Sequence, residues 1–207
     1  MLEISVISDL SPGLYHFCRF LASHTFKRFY RVKVQGLERV PFKGPVIFCP
    51  KHQRWEDIPV VGLALPRPLH FIAKVELFRH PFVREFLRGL GGVPVDRQSP
   101  KATLSSFRTL LPLLRRQAAL VVFPEGTYVP GGVGPGKHRL LQLLLRFQGR
   151  NGLTALPFIP VGIAYQPHFP GYDVFVNLGP PLSVPSAEQA VDLTRTIMQE
   201  IARLSKA

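Results

Sequence analysis

Hydrophobic positions along this chain fall into short continuous runs, each closed off by proline, glycine or charge. Residues 45–49, 69–73, 92–95, 120–123, 156–164 and 174–178 read as buried strands on this pattern. Between them the spacing becomes helical. Leu104, Phe107, Leu110, Leu111 and Leu114 repeat at steps of three and four after Ser99-Pro100, and similar stripes run through residues 57–64, 139–148 and 187–204. Near the start, Ser11-Pro12 reads as an N-cap followed by a first-turn proline, opening a helix to about residue 29. Strands alternating with helices predict an α/β fold: a single domain with a mixed, mostly parallel sheet flanked by helices, preceded by an N-terminal interfacial helical segment. The expected division is residues 1–30 for that amphipathic segment and residues 31–207 for the catalytic domain.

Composition narrows what such a domain does. Of 207 residues, 46% are hydrophobic and only 19% are charged, so a disordered tail is excluded. The charge is one-sided: 26 Lys and Arg against 13 Asp and Glu give +13. A basic but apolar chain differs from a nucleic-acid arm and fits an anionic membrane surface or a phosphorylated ligand. Two cysteines without a CxxC or a Cys/His cluster argue against a disulfide framework or a metal site. No apolar run approaches the roughly 18 residues of a spanning helix, and the N-terminus lacks a basic signal-peptide region. The expected location is the cytoplasmic face of a membrane, with the protein held peripherally or monotopically.

Acidic residues are scarce, and their positions are informative. Asp57, Asp96 and Glu125 each follow an apolar strand-like run, at the strand ends where α/β sheets build sites. In Lys51-His52-Gln53-Arg54-Trp55-Glu56-Asp57, a turn exposes His52 and a helix start presents Asp57 back toward it. A carboxylate on one ring nitrogen fixes the tautomer and leaves the other nitrogen free to take a proton. There is no GxSxG, so a histidine-aspartate pair without its own nucleophile suits activation of a substrate hydroxyl or a water. Gly92-Val93-Pro94-Val95-Asp96-Arg97 ends a strand with a guanidinium able to hold phosphate bidentately. Phe123-Pro124-Glu125-Gly126-Thr127 is a turn after a buried strand, in which Gly126 permits close backbone approach.

Together these segments resemble the glycerolipid acyltransferase family. His52 and Asp57 match its HxxxxD block, Gly92 to Arg97 its second block, and Phe123 to Thr127 its FPEGT block. Leu156-Pro157-Phe158-Ile159-Pro160-Val161 is similar to its proline-bracketed strand, and Ala73-Lys74-Val75-Glu76-Leu77 and Gly179-Pro180-Pro181-Leu182 to two further segments. The resemblance implies acyl transfer from a thioester to the free hydroxyl of a lysophospholipid, 1-acylglycerol-3-phosphate first of all. It makes His52 the general base and Asp57 its orienting partner. Arg97 would hold the acceptor phosphate, Glu125, Gly126 and Thr127 would line the acceptor site, and Lys137 and Arg139 would add positive charge. A backbone N–H near His52 would steady the oxyanion. No cofactor is implied beyond acyl-CoA or acyl carrier protein as co-substrate. Tyr128 departs from the family, which usually carries arginine there, and this opens the acceptor to other lysolipids.

Leu14, Phe17, Cys18 and Leu21 at helical spacing, followed by Lys27, Arg28, Arg31 and Lys33, suit an interfacial helix on anionic lipid. The same helix packed on its own domain is the alternative. Arg79, His80, Arg84 and Arg88 around Phe78, Phe82 and Phe86 would extend that surface. A nucleic-acid-binding module would account for the charge, but no binding motif is recognisable and no nucleic acid is expected as partner. A non-catalytic lipid-binding protein would not need both His52 and Asp57.

Overall fold

The computed structural model describes residues 10–96, 102, 104, 106, 110–150 and 155–206. The described strands form one seven-stranded sheet. β1 (Tyr30–Gln35), β2 (Val46–Pro50), β3 (Leu69–Lys74), β4 (Gly92–Val95), β5 (Ala119–Val121), β6 (Phe158–His168) and β7 (Gly171–Leu178) lie in the order β1-β7-β6-β2-β5-β3-β4. All neighbours are parallel except β6 and β7, which pair antiparallel from Val161↔Leu178 to His168↔Gly171. The expected mixed, mostly parallel sheet is therefore present.

β2 sits at the middle of the sheet and is buried at all five positions. Its alternating side chains feed two cores, because successive residues of a strand point to opposite faces. Ile47 and Cys49 pack with α4 (Leu111–Arg115), α5 (His138–Arg150) and α6 (Ala190–Leu204). Val46 and Phe48 pack on the other face with Val60, Val61 and Leu65 of α2 (Asp57–Ala64) and its end. Strands covered on both faces read as continuous apolar runs, which is why the central ones were visible in the sequence. Fully burying a side chain such as Phe48 or Ile47 contributes about 1.5–3 kcal/mol over leaving it exposed.

Several boundaries differ from expectation. α1 spans Pro12–Phe26 and stops short of residue 29, because Tyr30–Gln35 forms the edge strand β1 beside β7. β1 alternates half-buried and exposed positions and is rich in Arg and Lys, so it lacked an apolar run. The basic and aromatic group around Phe82 and Phe86 forms a helix, α3 (Pro81–Gly89). β6 runs on to His168, where the hairpin with β7 supplies hydrogen bonds that its polar end does not signal. Ala102, Leu104 and Ser106 are helical, while Phe107 lies outside the described residues.

α1 is docked by one face only. The Arg19 guanidinium donates to the carbonyls of Gly62 (2.7 Å), Leu65 (2.8 Å) and Leu63 (3.2 Å) at the C-terminal end of α2. Those carbonyls have no partner within the helix, and a cation suits the negative end of its dipole. The Ser11 N–H donates to the Gly89 carbonyl at 2.9 Å, and Gly89 lacks the Cβ that would collide with Leu14. Tyr15 is buried, whereas Phe17, Phe20 and Leu21 are at least half exposed. No described helix is long and apolar enough to cross a membrane.

Candidate active site

β2, β3, β4, β5 and β6 run parallel, so their C-terminal ends share one edge of the sheet. The chain leaves β2 at Pro50 and turns through Lys51 to His52, whose imidazole is largely sheltered. Asp57 opens α2 and is fully buried. Its Oδ2 lies 3.2 Å from His52 Nδ1 and accepts from the backbone N–H groups of Gln53 (2.6 Å) and Arg54 (2.8 Å). Its Oδ1 accepts from the Tyr165 hydroxyl at 2.8 Å. A carboxylate on Nδ1 orients the ring and favours the tautomer with its proton on Nδ1, which leaves Nε2 facing away from Asp57. The ring is clamped between Phe123, stacked at 3.8 Å and 24°, and Tyr128, tilted at 4.3 Å.

A second buried carboxylate fastens this loop to the one after β5. Glu125 accepts from Lys51 Nζ (3.0 and 3.2 Å), from the His52 N–H (2.8 Å) and from the Gly134 N–H (2.8 Å). Lys51 Nζ also donates to the Val129 carbonyl at 2.7 Å, and the Val129 N–H returns a bond to the His52 carbonyl at 2.8 Å. Lys51 and Glu125 are both buried. Burial of the pair is tolerable because every charge is matched and hydrogen-bonded. Glu125 thus lies at the expected place, but its oxygens are taken by protein donors and it braces the His52 loop from beneath.

The backbone N–H groups of His52, Gln53 and Arg54 are likewise occupied, by Glu125 and Asp57. In this arrangement these three N–H groups are not free to steady an oxyanion. Gly126 has φ +68°, and a Cβ there would meet the Lys137 side chain at 2.9–3.2 Å. Glycine thus admits Lys137 against the turn, while Thr127 is exposed beside it. Arg139 is exposed in the first turn of α5, with no hydrogen bond or ion pair to the His52 loop among the described residues. Arg97 lies outside the described residues, one position past Asp96.

Sequence reasoning missed Lys51 and Tyr165, and passed over Lys74, which is exposed at the C-terminal end of β3 on the same edge. A lysine directly after a fully apolar strand was the available signal for Lys51. Tyr165 sits among Arg54, Tyr172 and Asp57, and burial, followed by the Asp57 charge, holds its hydroxyl far above the ordinary tyrosine range. Cys49 is no nucleophile: it is fully buried, and burial alone pushes its thiol well up. Among the described residues no hydroxyl or thiol bonds the His52 ring.

A sheet edge carrying a histidine backed by a buried aspartate, with an FPEGT turn beside it and no hydroxyl or thiol bonded to the ring among the described residues, fits an O-acyltransferase. The acyltransferase family model matches residues 31–164, and the chain belongs to that family. It is 28% identical to the 1-acyl-sn-glycerol-3-phosphate acyltransferase of Bacillus subtilis, over 84% of this chain and 87% of that protein. It is 30% identical to the lyso-ornithine lipid O-acyltransferase of Pseudomonas aeruginosa, over 67% of this chain but 46% of that longer protein. The crystal structure of the 1-acyl-sn-glycerophosphate acyltransferase PlsC from Thermotoga maritima superposes with a TM-score of 0.69, at 25% identity, covering 93% of this chain and 80% of that one.

Proposed function

We propose that this enzyme moves a fatty acyl group from a thioester donor, acyl-CoA or acyl-acyl carrier protein, to the free hydroxyl of 1-acylglycerol-3-phosphate, yielding phosphatidic acid at a membrane surface. The observation that carries the reading is His52 held on Nδ1 by buried Asp57, with no hydrogen bond to its second nitrogen among the described residues. His52 Nε2 takes the hydroxyl proton as the oxygen attacks the thioester carbonyl. Collapse of the tetrahedral intermediate breaks the carbon–sulfur bond, and the imidazolium returns the proton to the leaving thiolate. Asp57, bonded to Nδ1, orients the ring and stabilises the imidazolium. Lys137, Lys74 and Arg97 supply positive charge for the acceptor phosphate, Gly126 and Thr127 line its approach, and Arg139 adds to the field.

Membrane contact is supported by the exposed Phe17, Phe20 and Leu21 on α1 and Phe82 and Phe86 on α3, with Lys27, Arg28 and Arg31 exposed nearby. Aromatics at headgroup depth beside cations suit an anionic interface. A second reading of the acceptor rests on Tyr128. It lies on the His52 ring where the family usually carries arginine, so a headgroup without a phosphate monoester, as in a lyso-ornithine lipid, would meet no missing charge. The test is a panel of lysolipids, each offered with both donors, with products read by mass spectrometry. Phosphatidic acid from lysophosphatidate supports the first reading. Turnover confined to another lysolipid supports the second.

A further inference from the structure

Asp57 presents its two oxygens to different surroundings. Oδ2 has the Gln53 and Arg54 backbone N–H groups as well as His52 Nδ1, whereas the hydrogen bond recorded at Oδ1 comes from Tyr165 alone. The Tyr165 ring is itself held in place. Tyr172 meets it edge-on at 5.9 Å and 89°, and the Arg54 guanidinium lies over its face at 4.7 Å and over Tyr172 at 4.6 Å. Tyr165 belongs to β6 and Tyr172 to β7, so the hydroxyl is aimed by the hairpin rather than by the loop that carries the dyad.

We propose that Tyr165 is a positioning residue for acyl transfer, whose hydroxyl tempers the Asp57 carboxylate and thereby sets the pH at which His52 becomes a base. This rests on the reading of His52 as general base. A donor on Oδ1 draws negative charge from the oxygen facing the imidazole, so the carboxylate attracts the imidazolium less strongly than a bare one would. The Tyr165 hydroxyl keeps its proton across the working range, so the donor is permanent. The other charged and titratable groups around the dyad have partners of their own, except Tyr128, which packs on the His52 ring. Arg54 covers the tyrosine faces, Tyr30 of β1 donates to Glu56 at 3.1 Å, Lys51 and Glu125 bond each other beneath His52, and Tyr128 touches the ring.

Tyr165→Phe leaves Oδ1 buried without its donor, while two backbone N–H groups keep Oδ2 in place. The acid limb of kcat/KM then moves to higher pH, while KM for the acceptor is little changed. Placing 3-fluorotyrosine at position 165 gives a more acidic hydroxyl, a stronger donor, and moves the limb to lower pH. A role in stability alone lowers the active fraction at every pH and leaves the limb where it is.

The experiment measures kcat/KM against pH for wild type, Tyr165→Phe and the fluorotyrosine protein, together with NMR titration of the His52 imidazole in each. The expected order of midpoints is phenylalanine highest, then wild type, then fluorotyrosine. Coincident midpoints overturn the proposal. The fluorinated protein keeps the hydrogen bond, so the test survives a Phe variant that does not fold. A wild-type protein with no acyl transfer would defeat the reading of function, and the NMR order would still decide the role of Tyr165.

Discussion

Asp57 and Glu125 are both buried and surrounded by donors, yet they face different partners. Asp57 turns one oxygen to His52, and Glu125 accepts from Lys51 and from the backbone N–H groups of His52 and Gly134. Asp57→Asn either keeps its carbonyl on Gln53, Arg54 and His52 with the NH2 toward Tyr165, or sets the NH2 against the Gln53 and Arg54 N–H groups. Either outcome removes the charge that balances the imidazolium. Turnover falls by about 10²–10⁴, the range general-base catalysis supplies, with circular dichroism checking that the fold persists. Lys51→Met leaves Glu125 buried with backbone donors alone. Removing one partner of such a pair costs about 3–5 kcal/mol, and the two remaining N–H bonds place the loss toward the lower end, read by chemical denaturation. His52, Asp57 and Glu125 were legible because each lies a few residues past an apolar strand-like run, at a strand end. Lys51 pairing with Glu125, and Tyr165 with Asp57, depend on which strands are neighbours, and the local pattern does not encode that order.

Elements differ in how plainly they announce themselves. α2 matched its expected bounds because Asp57 opens it and Leu65-Pro66 closes it. β1 was lost because an edge strand needs one apolar face, and Tyr30, Val32 and Val34 alternate with Arg31, Lys33 and Gln35. The docking of α1 on α2 was equally hidden, since it hangs on a single arginine reaching three carbonyls. Arg19→Ala frees those carbonyls and costs about 1–3 kcal/mol, and hydrogen exchange should quicken through Pro12–Phe26 while β2 stays protected. On β3, His70 is buried, Nδ1 has no hydrogen-bond partner among the described residues, and burial lowers its pKa from the ordinary 6.5 despite a bond to the Ala119 backbone. Between that lower value and 6.5 the unfolded chain binds a proton that the folded one refuses. Stability therefore declines as pH falls from about 6.5 toward the folded pKa and is level below it. His70→Leu should flatten this decline in denaturation midpoints compared at pH 7.5 and 5.

For the whole molecule, the +13 charge resolves into separate groups. Lys51 is spent inside, Lys137 lies along the FPEGT turn, and Lys27, Arg28 and Arg31 are exposed where α1 hands over to β1. Phe17→Ser with Phe20→Ser should weaken binding to anionic vesicles severalfold in a sedimentation assay, without changing the unfolding midpoint, because both rings are about 60% exposed. Binding by the parent should also weaken as salt rises. The most direct check of the whole account is product analysis of purified protein given lysophosphatidate and acyl-CoA or acyl-acyl carrier protein, beside His52→Ala folded to the same extent. Phosphatidic acid from the parent and almost none from the variant is the expected result. Near-normal turnover by His52→Ala would contradict it.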